Sequence, residues 1–121
     1  MSTHAVSSSD AVSFGKRPLL YDVTGEGQPI VLVPGTLTGW ASWVMHADRL
    51  STNRKVIRVQ LRNVELAEAD EQVPESYGIE SEIAGLESTV DQLGLDRFDL
   101  AGWSLGGLVS LAFAMRFPER V

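Results

Sequence analysis

The chain has 121 residues, enough for one compact domain, with 44% hydrophobic and 21% charged residues and a net charge of −6. That balance excludes a fibrous or disordered chain, and its acidity without any basic stripe argues against a nucleic-acid partner. The absence of cysteine removes disulfides, thiolate nucleophiles and cysteine-ligated metal or iron–sulfur sites. Two well-separated histidines, His4 and His46, do not suggest a metal centre, so neither a metal nor a cofactor is expected.

Residues 1–10 are Ser-rich and read as a polar leader, without the basic start and apolar core of a signal peptide. No run approaches the ~18 apolar residues that span a bilayer. A soluble, cytoplasmic protein with no membrane partner is therefore the expectation. From residue 11 to 121 the chain reads as part of one domain. "AVSF" and "RPLLYDV" form two short strands around Gly15-Lys16, and "TGEGQP" (24–29) is loop punctuation. "IVLV" (30–33) is apolar without alternation, as in a strand covered on both faces.

"PGTLTG" (34–39) forms a loop. Trp40, Trp43, Val44, Ala47 and Leu50 then recur at helical spacing over 40–50. "VIRVQL" (56–61) is a further strand, and "RNVELAEADEQVPES" (62–76) reads as acidic and irregular. Ile79, Ile83, Leu86, Val90 and Leu93 mark one face of a helix that Gly94 stops, with Glu80 and Glu82 in its first turn. "FDLAGW" (98–103) is a strand. The helix from Leu105 to Pro118 is apolar nearly all round and should be buried on more than one side. Alternating strands and helices imply an α/β fold, a mostly parallel sheet with helices on both faces.

Gly102-Trp103-Ser104-Leu105-Gly106 is a G-x-S-x-G pattern between an apolar strand and an apolar helix. A sharp turn there would force Ser104 into a strained backbone and push its hydroxyl above the sheet, and side chains at Gly102 and Gly106 would collide where helix and strand pass. The helix beginning at Leu105 aims free amides at the same place, making the Leu105 N–H an oxyanion donor. The strand "IVLV" runs into a Gly-containing loop that supplies a second donor, the Thr36 N–H, with Leu37 the fallback. The plain alternative is a glycine-rich turn with an incidental serine. A dinucleotide loop is set aside because Ser104 occupies the middle glycine position.

Over residues 16–121 the sequence resembles the α/β-hydrolase superfamily, through "YDVTGEGQPIVLVPGTLTGWASW", "YGIESEIAGLESTVDQLGLDRFDLAGWSLGG" and "FPERV". The resemblance implies a partial α/β-hydrolase fold with Ser104 as nucleophile and Leu105 and Thr36 lending oxyanion amides. Serine rather than aspartate at this position favours esterases, thioesterases, lactonases, C–C bond hydrolases and perhydrolases over dehalogenases and epoxide hydrolases. Pro34 stands where many relatives carry histidine. "QLRNVELAEAD" lacks the glycines of the Asp-x-x-Gly-x-Gly-x-Ser segment that many relatives place there.

In this family the triad acid and histidine follow the nucleophile, and neither falls within this chain. His46, His4, Asp96 and Asp99 precede the elbow and read as structural, and Glu65, Glu68, Asp70, Glu71 and Glu75 as a solvated loop. The expectation is the N-terminal half of a hydrolase domain of ~250–300 residues, truncated, split or completed by a C-terminal half or second chain. Its substrate would be a small ester or other acyl compound, and alone it should be nearly inactive for want of a base. A non-catalytic hydrolase-fold protein binding a ligand or partner is the alternative, and a module pairing its sheet edge with another chain is a third reading.

Overall fold

The computed structural model describes residues 16–121; the expected leader, the strand at "AVSF" and His4 lie outside them. Four strands form one sheet in the order β1-β3-β2-β4, namely β1 (Tyr21–Thr24), β2 (Gln28–Val33), β3 (Arg54–Val59) and β4 (Asp99–Gly102). β2 runs parallel to both neighbours, with Ile30 opposite Val56 and Val33 opposite Gly102. β1 is antiparallel to β3. The sheet is thus mostly parallel, and β4 stands at its edge among the described residues.

Because side chains alternate along a strand, the apolar run in β2 feeds two cores. Val31 and Val33 join Ile57 and Val59 beneath α3 (Ile79–Gln92) and α4 (Leu105–Arg116). Leu32 and Val56 face the other way, against Ala47 of α1 (Val44–Leu50). All of these side chains but Ala47 are at most 1% exposed, which is what a strand run without alternation predicts.

The helix expected over 40–50 is divided. Gly39–Trp43 forms a 3₁₀ turn with no side-chain cap, and α1 begins only at Val44. α3 starts and stops where its spacing indicates, with Gly94 just beyond it at φ 71°. α4 keeps one face on the core through Val109 and Phe113, but Leu108, Leu111 and Met115 on its outer side are more than half exposed. The apolar circumference of this helix therefore marks no second buried face among the described residues.

An unexpected element is the helix α2 (Arg62–Glu68), in the stretch read as irregular. Its cap comes from another helix. The fully buried carboxylate of Glu82 on α3 accepts the Arg62 amide at 2.7 Å and the Asn63 amide at 3.2 Å, satisfying first-turn donors that have no partner within the helix. Glu82 also accepts the Tyr77 hydroxyl. Burial, together with that bond to a carboxylate, holds the Tyr77 phenol above its ordinary pKa. The buried Arg62 guanidinium donates to the Pro18 carbonyl at 3.0 Å and faces Glu65, and desolvation lowers its pKa.

Candidate active site

At the end of β4 the pairing with β2 continues one residue further, the Trp103 amide donating to the Val33 carbonyl at 3.0 Å. The chain then reverses at Ser104, with φ 56° and ψ −121°, and enters α4 at once. Such backbone costs a non-glycine residue about 1–3 kcal/mol and persists only where the surroundings enforce it. Close packing of helix on strand does so here. A Cβ on Gly106 would lie 2.2 Å from the Val33 oxygen and 2.3 Å from that of Pro34, and one on Gly102 would lie 2.4 Å from the Gly106 oxygen. Only hydrogen fits at either position.

The first turn of α4 closes on the reversal itself, Gly106 donating to the Trp103 carbonyl at 2.9 Å and Gly107 to that of Ser104 at 2.9 Å. Leu105, the first helical residue, carries an amide with no acceptor inside the helix. Across from it β2 leads into the loop 34–38. A Cβ on Gly35 would stand 3.0 Å from both Ser104 Cβ and Trp103 Cδ1, so the loop backbone rests directly on the serine side chain. The Gly39 amide donates to the Gly35 carbonyl at 3.1 Å and closes a turn that has Thr36 inside it.

Together the loop and the elbow border a cleft of about 590 Å³. Gly35, Thr36 and Ser104 line it together with Ser42, Trp43 and His46, and Leu37, Thr38 and Trp103 also border it. Leu37, fully exposed, is the loop's tip. His46 enters this cleft although its sequence position suggested a structural role; its ring meets Trp43 edge-on at 5.1 Å. Among the described residues no side chain is hydrogen-bonded to Ser104 Oγ. Asp99 is engaged elsewhere, accepting Arg54 at 2.6 Å, and the Asp96 carbonyl accepts Arg120. Of the acidic stretch, Glu65 pairs with Arg17 and Arg62, and Glu68 accepts from Gln60. Among the described residues no cluster of His, Asp or Glu could hold a metal ion, and no helix is long and apolar enough to cross a membrane.

Sequence reasoning placed Gly35 in the donor loop without assigning it a contact, and passed over Gln60. The first sat in plain view in a Pro-Gly pair, but nothing local shows that its missing side chain makes room for Ser104. Gln60 is an uncharged polar residue just past a strand that also carries Arg58, a signal that goes unread without knowing what it touches.

The profile of the family described as alpha/beta hydrolase fold matches residues 28–121, from β2 through the elbow to the final residue. The chain belongs to the α/β-hydrolase family. Within it, the chain is 44% identical over 105 residues to 2-hydroxy-6-oxo-2,4-heptadienoate hydrolase of Pseudomonas putida, covering 84% of this chain and 37% of that protein. It is 32% identical over 117 residues to 2-hydroxymuconate semialdehyde hydrolase of a Pseudomonas species, covering 93% of this chain and 40% of that protein. Among solved structures, the enol-lactonase of Burkholderia xenovorans superimposes with a TM-score of 0.73 at 27% identity, covering 85% of this chain and 40% of that one. This α/β-hydrolase chain thus spans about two fifths of the length of these relatives.

Proposed function

We propose that the protein carrying this chain is a serine hydrolase in which Ser104 is the nucleophile and the amides of Thr36 and Leu105 bind the oxyanion. The observation that carries this reading is the backbone of Ser104, held at φ 56° and ψ −121° between strand and helix with the Gly35 loop against its side chain. A strained, exposed serine at such a junction has its hydroxyl free for attack and helix amides close behind it.

In the reaction a bond forms between Ser104 Oγ and the substrate carbonyl carbon, and the hydroxyl proton passes to a base. The negative charge that develops on the carbonyl oxygen is met by backbone N–H donors, which are in place before the reaction begins. Collapse expels the leaving group, which takes up the proton, and water then hydrolyses the acyl-enzyme. The base and its orienting acid come from the rest of the fold, the part that lies after the elbow in this family. Without them the hydroxyl keeps its proton, and the 121-residue chain alone hydrolyses acyl substrates close to the background rate.

The substrate class is narrower than esters in general. The two relatives described above are named for 2-hydroxy-6-oxo-2,4-heptadienoate and 2-hydroxymuconate semialdehyde, and we assign to this protein a small 2-hydroxy-6-oxo-2,4-dienoate. It is cleaved beside its C6 carbonyl to release a carboxylic acid once the 2-hydroxyl proton has moved to C5, so that the expelled carbon's electron pair is taken up by the conjugated 2-oxo group. The cleft of about 590 Å³ accommodates a molecule of that size. The test is turnover of such dienoates and of short p-nitrophenyl esters by the full-length protein and its Ser104→Ala variant. Dienoate turnover should exceed ester turnover and fall on the order of 10⁴-fold or more in the variant. Ester turnover without dienoate turnover overturns the substrate assignment; an active Ser104→Ala variant overturns the nucleophile.

A further inference from the structure

Gln60 follows the last residue of β3 and is 2% exposed, so it takes no part in the cleft wall. Both ends of its carboxamide are used. Oε1 accepts the backbone amides of Leu61 at 3.1 Å and Trp40 at 3.3 Å, while Nε2 donates to Glu68 Oε1 at 3.2 Å. Two amides need an acceptor and one carboxylate needs a donor, and a carboxamide is the side chain that supplies both from one position.

What Gln60 grips is the far end of the oxyanion loop. Gly39 lies so close that a Cβ there would stand 2.7 Å from Gln60 Nε2, and its φ of 57° brings the backbone down onto the carboxamide. Gly39 in turn closes on Gly35 through the 3.1 Å bond that encloses Thr36. The next residue is held from both sides: Gln60 takes the Trp40 amide, and Arg58 Nη1 donates to the Trp40 carbonyl at 3.2 Å with its guanidinium 5.4 Å from the Trp40 ring centroid. Arg58 is itself fixed by Asp22.

We propose that Gln60 is a positioning residue that sets the Gly35–Trp40 loop, and through it the Thr36 amide, in its working conformation. The role rests on the oxyanion function proposed above for Thr36. A side chain beneath the loop acts on the rate step rather than on substrate affinity, because preorganised donors matter where charge develops.

The exchange of partners between Gln60 and Glu68 makes a test. In Q60E the donor is lost and repulsion from Glu68 draws the carboxylate off the Trp40 amide it would otherwise accept; in Q60E/E68Q donor and acceptor trade sides and that amide is accepted again. In the full-length protein, Q60E should lower kcat about 10- to 100-fold with KM within about threefold, consistent with displacement of one oxyanion donor. Q60E/E68Q should recover to within about threefold of the parent. Hydrogen exchange at the Trp40 amide should accelerate about tenfold in Q60E and return in the double variant, independently of any activity. Parental kcat and Trp40 protection in Q60E overturn the proposal, as does failure of the double variant to restore them, including failure to fold. Should Ser104→Ala retain activity, the hydrolase reading falls, while Trp40 exchange still decides whether Gln60 holds the loop.

Discussion

Two neighbouring glycines in α4 should respond to alanine with opposite signs. By helix propensity alone, replacing either Gly106 or Gly107 stabilises the helix by about 1 kcal/mol. At Gly107 nothing opposes this gain, since the nearest atom to an added Cβ is the Gly102 oxygen at 3.6 Å, an ordinary contact. At Gly106 the added carbon would lie 2.2 Å from the Val33 oxygen and 2.3 Å from the Pro34 oxygen. Both are backbone atoms, at the end of β2 and the start of the loop that follows it, so helix and strand must part by roughly 1 Å, a distortion costing typically 1–3 kcal/mol and sometimes more. Gly106→Ala should therefore lose about 1 kcal/mol net, the middle of that cost less the helix gain, and Gly107→Ala gain up to about 1 kcal/mol. Urea unfolding of the two variants measures this directly, as shifts of the midpoint in opposite directions at unchanged slope. Equal midpoints, or a Gly106→Ala variant more stable than the parent, would refute the close-approach argument for the elbow.

The buried cap of α2 makes two further predictions. Glu82→Leu should destabilise by about 3 kcal/mol or more, because it strands two amides and the Tyr77 hydroxyl beside the buried Arg62, whereas Glu82→Gln should cost about half as much; urea midpoints again report it. Tyr77 titrates higher in the folded state than in the unfolded one, so its contribution is whole below the unfolded value of about 10 and declines as pH rises through the folded value. The parent should lose stability above about pH 10, and Tyr77→Phe should remove that part of the alkaline slope.

Most of the scaffold is legible in the sequence because its signals are local. "IVLV" needs only its lack of alternation to be read as a two-sided strand, and α3 only its period and Gly94. The elbow, too, announces itself through glycines on either side of Ser104. What escapes reading depends on distant partners. Residues 62–68 carry the buried Leu66 and the half-buried Val64 amid acidic neighbours, and become helical under a carboxylate that arrives with Glu82 from α3. Arg62, which looks like a surface charge, is fully buried, its guanidinium donating to the distant Pro18 carbonyl and facing Glu65. The first turn of the 40–50 segment tightens into a 3₁₀ form because Gly39 is drawn down on Gln60, a residue at the end of the neighbouring strand. The outer side of α4 shows the converse: apolarity says that a helix can be buried all round, not which of its faces have a neighbour.

Ser104 as nucleophile is the central claim, and trapping the covalent intermediate tests it most directly. The full-length protein is quenched in acid during turnover of a 2-hydroxy-6-oxo-2,4-dienoate, digested, and the peptide spanning the elbow is weighed. The account predicts the acyl group of the substrate on the peptide containing Ser104 and no adduct in Ser104→Ala. An acyl group found on another residue, or turnover that persists in Ser104→Ala, would contradict it.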